Sequence, residues 1–331
     1  MPEKLTIKLL NELMLKEYPP QRWVVEKLIP QGGLVMMSAS PASYKTWLML
    51  QVALSVAKGE KFIDAFHTEQ TKVLIMDEES GERSLQERFR RLGATSTLPI
   101  HYLSRAGRKA SEEYTKQVIS VCKENDIGLV MFDSFIRFAI GSENDSTDMS
   151  KNMDNFKKIT DQGIACLILH HNRKAGLIGS GAAESMRGSG DILAACDVHV
   201  ALRRKGDKIT ISQTKNRYCQ EIEPQTLKFV SKGERSQFLY LGKDKTRADW
   251  DEELKQEIVK YIEDCPGVNK SEILRDFQVG GENLPANRAH KLLNELSESG
   301  QIISKRGDKN AKLFYVADNA GDTYEEESEK E

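Results

Sequence analysis

An α/β fold with a mostly parallel central sheet, joined to a smaller helical domain and an acidic tail, is what the amino-acid sequence predicts. Three observations carry that expectation. Short continuous apolar runs, such as Leu34 to Met37, Val73 to Met76 and IGLVMFD from Ile127, alternate with segments whose apolar residues recur at helical intervals. Such runs suit strands buried on both faces, the condition of parallel strands between helical layers. After Asp197 the pattern changes to strict alternation, and beyond Trp250 to helices closed by a hairpin.

Composition sets the outer bounds. With 331 residues and 39% hydrophobic content, the chain suffices for two domains and at least one large core. No apolar run approaches the roughly 18 residues of a membrane span. The start MPEKLTIKLL has neither the apolar core nor the cleavage site of a signal peptide, so a cytoplasmic protein with no membrane partner is expected. Cys122, Cys166, Cys196, Cys219 and Cys265 are far apart and never in C-x-x-C, which points to a reducing compartment without a zinc site. The net charge of −2 hides an asymmetry: residues 318–331 hold seven acids and one lysine, leaving a body of about +4. Such a tail reads as a disordered solubilising end, or as one that competes with nucleic acid for basic loops.

Residues 1–31 read as an arm: an amphipathic start (Leu5, Ile7, Leu9, Leu10, Leu13), then an apolar strip around Trp23 bracketed by prolines and glycines. The first domain, 32–242, opens with GGLVMMSASPASYKTWLMLQVALSVAKG, which reads as strand, loop and helix. Leu48, Val52, Ala53 and Val56 have helical spacing, and Gly59 supplies the stop. That layout suits a triphosphate-binding loop, because successive backbone N–H groups can curl round phosphates at the positive end of a helix. Ser40, Pro41, Ala42, Ser43 and Tyr44 would form the cradle, with Lys45, Thr46 and Trp47 opening the helix. Lys45 would reach the β- and γ-phosphates of ATP, and the Thr46 hydroxyl would hold Mg²⁺. The consensus G-x-x-x-x-G-K-[ST] is not met, since Ala39 and Tyr44 stand at the glycine positions. Tyr44 then needs a backbone conformation open to a residue with a side chain. The bland alternative is an ordinary helix start with a solvated lysine.

Next, KVLIMDEES places three acids at a strand's C-terminal end, where open α/β sheets bind ligands, and a helix with Leu85, Phe89 and Leu92 on one face follows. PIHYLS reads as a strand, SEEYTKQVISVCKEND as a helix, and IGLVMFDSFIRFAI as a continuous apolar strand carrying Asp133. Asp133 sits where a Walker-B acid would order the Mg²⁺ shell; a turn-forming aspartate is the alternative. GSENDSTDMS reads as a mobile loop, and a helix is expected over Met149 to Thr160. The strand GIACLILHHNRK closes in His170 and His171, candidates to sense the γ-phosphate, although lone histidines are more often satisfied core or surface residues. The glycine-rich stretch behind them holds Arg173, Lys174 and Arg187 and reads as a loop to which the histidines could pass the state of the γ-phosphate, or as a flexible linker. Two alternating strands then flank a turn at Lys205 to Lys208 and end in Lys215, Asn216 and Arg217.

Residues 250–317 form the second domain. Leu254, Ile258 and Ile262 share one helical face, Asn269 and Glu272 frame a capping box, and Ala289, Leu292, Leu293 and Leu296 share another face. Three helices and a hairpin make a winged helix. Its third helix would present Arg288, His290, Lys291 and Asn294 to a groove, with Lys305, Arg306, Lys309 and Lys312 as phosphate contacts. Glu295 and Glu298 on the same helix leave protein docking as an alternative.

Read in order, WVVEKLIPQGGLVMMSASPASYKTW, LIMDEES, LVMFDS, LILHHNRK, MRGSGD and TKNR resemble the RepA-type branch of the RecA-like ATPases, over about residues 20–241. Their order and spacing carry the likeness; no single motif does. The resemblance implies a RecA-like P-loop NTPase core, ATP with Mg²⁺ between neighbours of a homo-hexamer, and single-stranded DNA in a central channel. Lys45 and Thr46 match the phosphate-loop pair, Asp133 the Walker-B acid, and Glu78 the glutamate that polarises water, with Glu79 its neighbour. His170 and His171 match the motif after the fourth strand, and the loop bearing Arg173, Lys174 and Arg187 the DNA loop. Lys215 and Arg217 match a basic finger that completes the next subunit's site.

The leading expectation is therefore an ATP-dependent DNA helicase or translocase of a mobile element or phage, its C-terminal domain recruiting DNA or a replication or recombination protein. A non-unwinding RecA-like ATPase, acting as a mediator or assembly-driven regulator, is the alternative. A repressor with a degenerate nucleotide fold is a third class, opposed by the intact Lys45, Glu78 and Lys215/Arg217.

Overall fold

The computed structural model describes residues 7–142, 145–172, 189–243, 247–276, 278–279, 282–283, 285–307 and 311–317. The acidic tail lies outside the described residues. The chain divides into two units, Met1–Asp244 and Lys245–Glu331.

In the first unit, helix α1 (Leu10–Met14) precedes a small antiparallel pair, β1 (Trp23–Val25) and β2 (Ile29–Pro30). The main elements follow as β3 (Leu34–Ala39), α2 (Lys45–Lys58), β4 (Lys72–Asp77), α3 (Glu82–Arg91), β5 (Ile100–Ser104), α4 (Glu112–Glu124) and β6 (Ile127–Asp133). Then come α5 (Phe135–Phe138), α6 (Ser146–Thr160), β7 (Ala165–His171), α7 (Ser189–Ala195), β8 (Val198–Lys205), β9 (Lys208–Asn216), β10 (Gln225–Lys232) and β11 (Arg235–Lys243). One nine-stranded sheet runs β11-β10-β9-β8-β3-β7-β6-β4-β5. Its β8-to-β5 portion is parallel throughout, and β9, β10 and β11 extend it as an antiparallel meander.

The apolar runs are continuous because both faces are covered. Val35, Met37, Val73, Ile75, Met131 and Leu167 point to the side of α2 and α3, where Leu48, Val52 and Leu85 meet them. Leu34, Met36, Leu74, Met76, Val130, Phe132 and Ile168 point to the side of α4 to α7, against Val118, Phe135, Phe156 and Ile192. Alternate residues of one strand thus serve two cores, and no polar alternation is left to read. Gly59 ends α2 in the left-handed conformation (φ 69°), as a helix stop requires.

Two boundaries differ from the sequence expectation. The apolar stretch from Ile127 does not run on as one strand: β6 stops at Asp133, and one helical turn brings Phe135 and Phe138, three residues apart, onto the same core as Phe132. The stretch read as a loop up to Ser150 becomes helical at Ser146, because the Asp145 carboxylate accepts the Thr147 and Asp148 N–H groups.

The second unit holds α8 (Arg247–Asp264), β12 (Val268–Asn269), α9 (Lys270–Asp276), β13 (Gln278–Val279), β14 (Glu282–Asn283), α10 (Ala286–Glu298), β15 (Ile302–Arg306) and β16 (Lys312–Val316). A three-stranded sheet in the order β12-β16-β15 and the three helices enclose a core of Leu254, Ile258, Ile262, Ile273, Leu292, Leu296 and Phe314. The Asn269 side chain accepts from Ser271 and Glu272 N–H groups while Glu272 accepts from Asn269, a reciprocal cap on α9. Among the described residues no helix is long and apolar enough to cross a membrane.

One group in the main sheet is unusual for its depth. His199 of β8 is fully buried, its Nε2 2.9 Å from Ser38 Oγ and its Nδ1 2.5 Å from Thr214 Oγ1. Burial pushes its pKa down from 6.5 to about 4, aided by His170 and Lys215. Between these values the unfolded chain takes up a proton that the folded ring refuses, so this contribution is present above about pH 6.5 and is lost as pH falls toward 4. Urea denaturation across that window should show stability falling with pH in the wild type and a flatter profile in His199→Gln. Parallel profiles would remove His199 as the source.

Candidate active site

The site forms at the C-terminal ends of β3, β7, β6 and β4, the edge at which open parallel sheets bind ligands. Ala39 closes β3 in extended conformation, so a glycine is not required there. The loop from Ser40 to Tyr44 then contains two left-handed residues, Ala42 (φ 59°) and Tyr44 (φ 63°), before α2 begins at Lys45. Backbone N–H groups bent in this alternating way at a helix N-terminus make an anion-binding concavity.

Tyr44 explains how the loop does without its second glycine. A left-handed backbone costs a residue with a side chain about 1–2 kcal/mol. The Tyr44 ring lies 4.4 Å from that of Phe229 of β10, and the Arg204 guanidinium stands over the Tyr44 ring, 4.4 Å from its centroid. Arg204 also donates to the Ala42 carbonyl (2.8 Å), while Trp47 packs 5.1 Å from Phe229. Aromatic and cation–π contacts of this kind offset a backbone cost of that size.

Lys45 is buried and donates to the Ala39 carbonyl at 3.3 Å, with His171 Nδ1 3.0 Å away. Burial lowers its pKa; the charges of Asp133 and Glu79 oppose that. Thr46 Oγ1 donates to Asp133 Oδ2 at 2.7 Å. Asp133 is pushed up to about 6, first by burial and then by the carboxylates of Glu79 and Asp77, against the Thr46 hydrogen bond and Lys45.

Of the glutamate pair, the structure brings Glu79 to this cluster and turns Glu78 away. Glu79 Oε1 accepts from Ser134 Oγ (2.5 Å), lies 3.3 Å from His171 Nε2 and 3.9 Å from Arg137 Nε. The His171 hydrogen bond, then Ser134, hold its pKa down to about 2 despite burial. Both Glu78 carboxylate oxygens instead receive the Gly107 N–H at 3.1 Å. The cause is Asp77, the acid before the pair: its Oδ1 accepts the N–H groups of Glu79 and Ser80 (2.8 Å each) and bends the chain immediately after the strand.

The histidines divide similarly. His171 bridges Lys45 and Glu79, whereas His170 is buried edge-on against Phe135 (5.4 Å). His170 shares the parity of Cys166 and Ile168, so period-2 counting alone would have sent it into that core. Sequence reasoning missed Asp77, Ser134 and Arg137 as neighbours of the cluster. Only the D-E-E-S turn signal pointed to Asp77.

Lys215 and Arg217 stand elsewhere. Lys215 pairs with His199, which is level with Met36, so it lies three residues, or roughly 10 Å, behind Ala39 along the strand direction. Lys215 Nζ donates to the Leu193 and Ala194 carbonyls at the end of α7. Arg217 donates to Asp197 Oδ1 (3.2 Å) and to Ala194 O (2.5 Å).

In the second unit, Arg288 is not presented outward. Its Nε and Nη2 meet Asp251 Oδ1 of α8 at 2.7 and 2.6 Å, with both side chains largely buried. Lys291 is exposed and within 3.4 Å of Glu295, and Lys305 lies over the Tyr315 ring (5.2 Å). Arg306 is exposed. Arg173, Lys174, Arg187 and Lys309 lie outside the described residues.

Chemically, the loop offers N–H donors and a lysine to an anion, and the acids beside it suit a hard cation. Asp77 Oδ2 is buried without a partner, and Asp133 is ionised only reluctantly, as carboxylates are when a counter-charge is wanting. Thr46, Asp133 and Asp77 therefore fit Mg²⁺ held through a hydroxyl, waters and phosphate oxygens. Among the described residues no three His, Cys, Asp or Glu side chains close round a metal by themselves, which such a site does not need.

The family model for an AAA domain matches residues 3–176. None of the curated proteins matches the chain.

Thermal melts test the loop. Tyr44→Ala keeps the left-handed backbone but loses the ring, and should cost about 2 kcal/mol. Tyr44→Gly should be milder by about 1 kcal/mol, because glycine adopts that conformation freely. An alanine variant as stable as the glycine variant would show that position 44 carries no backbone strain.

Proposed function

The chain belongs to the AAA-domain family of P-loop ATPases, and on that premise we propose that it is a RepA-type, ring-forming motor, a homo-hexamer in which ATP hydrolysis drives movement on single-stranded DNA. The host process that fits is replication of a mobile element or phage. The observation that carries the ATPase chemistry is the convergence of Lys45, His171 and Glu79 beside Thr46 and Asp133 at the strand ends.

In this reading the phosphates settle on the N–H groups of residues 40–46 and draw Lys45 off the Ala39 carbonyl. Thr46 and Asp133 would hold Mg²⁺, which would supply counter-charge to the phosphates. Glu79, ionised and fixed by Ser134 and His171, orients the attacking water. Lys215 and Arg217, set back from their own phosphate loop, serve the site of a neighbour in a head-to-tail ring. Arg173, Lys174 and Arg187 are the proposed contacts to DNA phosphates.

We read the second unit as a winged helix, from its three helices and its β12-β16-β15 sheet. Lys291, Lys305 and Arg306 are its candidate phosphate contacts; the Arg288 side chain is committed to Asp251. A replication or recombination protein is the other partner such a unit could take. A RecA-like ATPase that does not unwind shares all of this active-site chemistry, and strand displacement on forked DNA separates the two.

Lys45→Ala should abolish ATP hydrolysis with an unchanged far-UV circular dichroism spectrum. Glu79→Gln should bind a fluorescent ATP analogue normally yet turn over at least about 100-fold more slowly. Glu78→Gln, whose carboxylate is spent on Gly107, should keep most activity. If Glu78→Gln is the dead variant and Glu79→Gln the active one, the assignment of the water-orienting residue is wrong.

A further inference from the structure

We propose that His199 and Thr214 are positioning residues that aim Lys215 and Arg217, tying this basic pair through Ser38 to the strand that carries the phosphate loop. The proposal rests on the reading of Lys215 and Arg217 as a catalytic pair, and its test separates the two ideas.

The starting observation is a break in the β8–β9 ladder. Val200 pairs with Gln213 and His199 with Lys215, so Thr214 is an extra residue on β9 with no partner on β8. Up to that point β9 alternates regularly. Ile209 and Ile211 belong to the core on the α2 side, and Gln213 reaches the Lys27 carbonyl near β1. Thr214 faces the opposite side, and strict alternation would return Lys215 to the α2 side. The bulge cancels that return: Thr214 meets His199, and Lys215 also reaches the α7 side, where it finds the Leu193 and Ala194 carbonyls. Arg217, two residues on, reaches the same helix end and Asp197. Cations at a helix C-terminus gain from its negative end, which makes this a defined resting place.

What holds the bulge is a buried imidazole. His199 is bonded at both ring nitrogens, to Thr214 on β9 and to Ser38 on β3, and both His199 and Ser38 are wholly buried. On this face of the sheet the neighbouring strands present Met36, Cys166 and Ile168 as well as Ser38 and the second imidazole, His170. A polar group set among them costs desolvation, and an apolar residue of similar volume would fill the space at no such cost. The polar choice gains something only if direction matters, and two hydrogen bonds fix the ring and so the path of β9. Ser38 is the residue before Ala39, whose carbonyl accepts from both Lys45 and the Asn172 N–H. The phosphate lysine and the basic pair are therefore joined by one short path, buried from Lys45 through Ala39 and Ser38 to His199 and continued by the exposed Thr214 and the half-buried Lys215.

The test uses the full-length protein, with ATPase kinetics measured in the presence of single-stranded DNA. Thr214→Val keeps size and branching but removes the hydroxyl. Its kcat should fall about tenfold or more, since small misplacements of a charge-stabilising group weigh heavily on the chemical step, while KM stays within about twofold. Thr214→Ser, which restores the hydroxyl, should restore kcat. In the double variant Thr214→Val, Arg217→Ala, kcat should be no lower than in Arg217→Ala alone, because a residue that acts by aiming Arg217 has nothing left to aim. Multiplicative losses in the double variant would overturn the proposal, as would equal kcat for the valine and serine variants. Thermal melts of each variant keep simple unfolding apart from loss of aim: a kcat recovered in proportion to Tm across the variants would assign Thr214 a structural role only. Arg217→Ala turning over like the wild type is a different failure, which removes the catalytic reading of the basic pair and this inference with it.

Discussion

A buried ammonium is the constraint on which the active-site edge depends. Lys45 lies almost out of solvent at the mouth of β3, and a cation there must be given acceptors and opposite charge or lose its proton. The Ala39 carbonyl and His171 Nδ1 are the acceptors; Asp133 and Glu79 are the charge. Since an ammonium only donates, His171 must accept through Nδ1, which leaves its proton on Nε2, facing Glu79. The tautomer of one histidine is thus set by the lysine and read by the glutamate. Any anion that draws Lys45 away also changes what His171 offers Glu79, so occupancy of the loop and orientation of the Glu79 carboxylate are linked through His171.

Much of this was legible in the chain, for a physical reason that also marks where legibility ends. Strands covered on both faces leave continuous apolar runs, and β3, β4, β6 and β7 are found where those runs are. The acids and histidines at their ends are legible as a set because a parallel sheet gathers strand ends at one edge. Which member of each pair faces the site is a different matter. Glu79 wins over Glu78 because the Asp77 side chain caps the next two N–H groups, a turn that periodicity does not encode. Arg288 has the spacing of an exposed helical residue, yet its partner Asp251 is 37 positions away in sequence, beyond the reach of any local pattern. The start of α6 was hidden for the converse reason: Ser146, Thr147 and Asp148 look like loop, and only the Asp145 cap makes them helix.

The sheet itself has two halves with different tasks. The parallel half, β5 to β8, brings the acids, the lysine and the histidines to one edge. In the antiparallel meander β9 runs back and delivers Lys215 and Arg217 toward the opposite edge, whereas β10 returns to the loop's edge with Phe229. One chain therefore carries both the phosphate-facing groups and a basic pair at some distance from them. In the head-to-tail ring proposed above, the basic pair would serve a neighbouring copy and the phosphate-facing groups their own site.

The phosphate loop is where those halves are joined. A glycine at position 44 would leave the loop's left-handed turn free of any side chain; tyrosine fastens it to Phe229 on β10 and, through Arg204, to β8. On its other side Lys45 and the Ala39 carbonyl fasten it to β7 through His171 and Asn172. The loop is thereby clamped from both directions before any ligand arrives. A donor array fixed in advance spends less of the binding energy on its own ordering and has less reorganisation to undergo as charge develops on the phosphate. The departure from glycine, which on sequence grounds weakens the motif, is on structural grounds a different way of obtaining the same turn: strain accepted at one residue, and rigidity supplied by the contacts of its ring with Phe229 and Arg204.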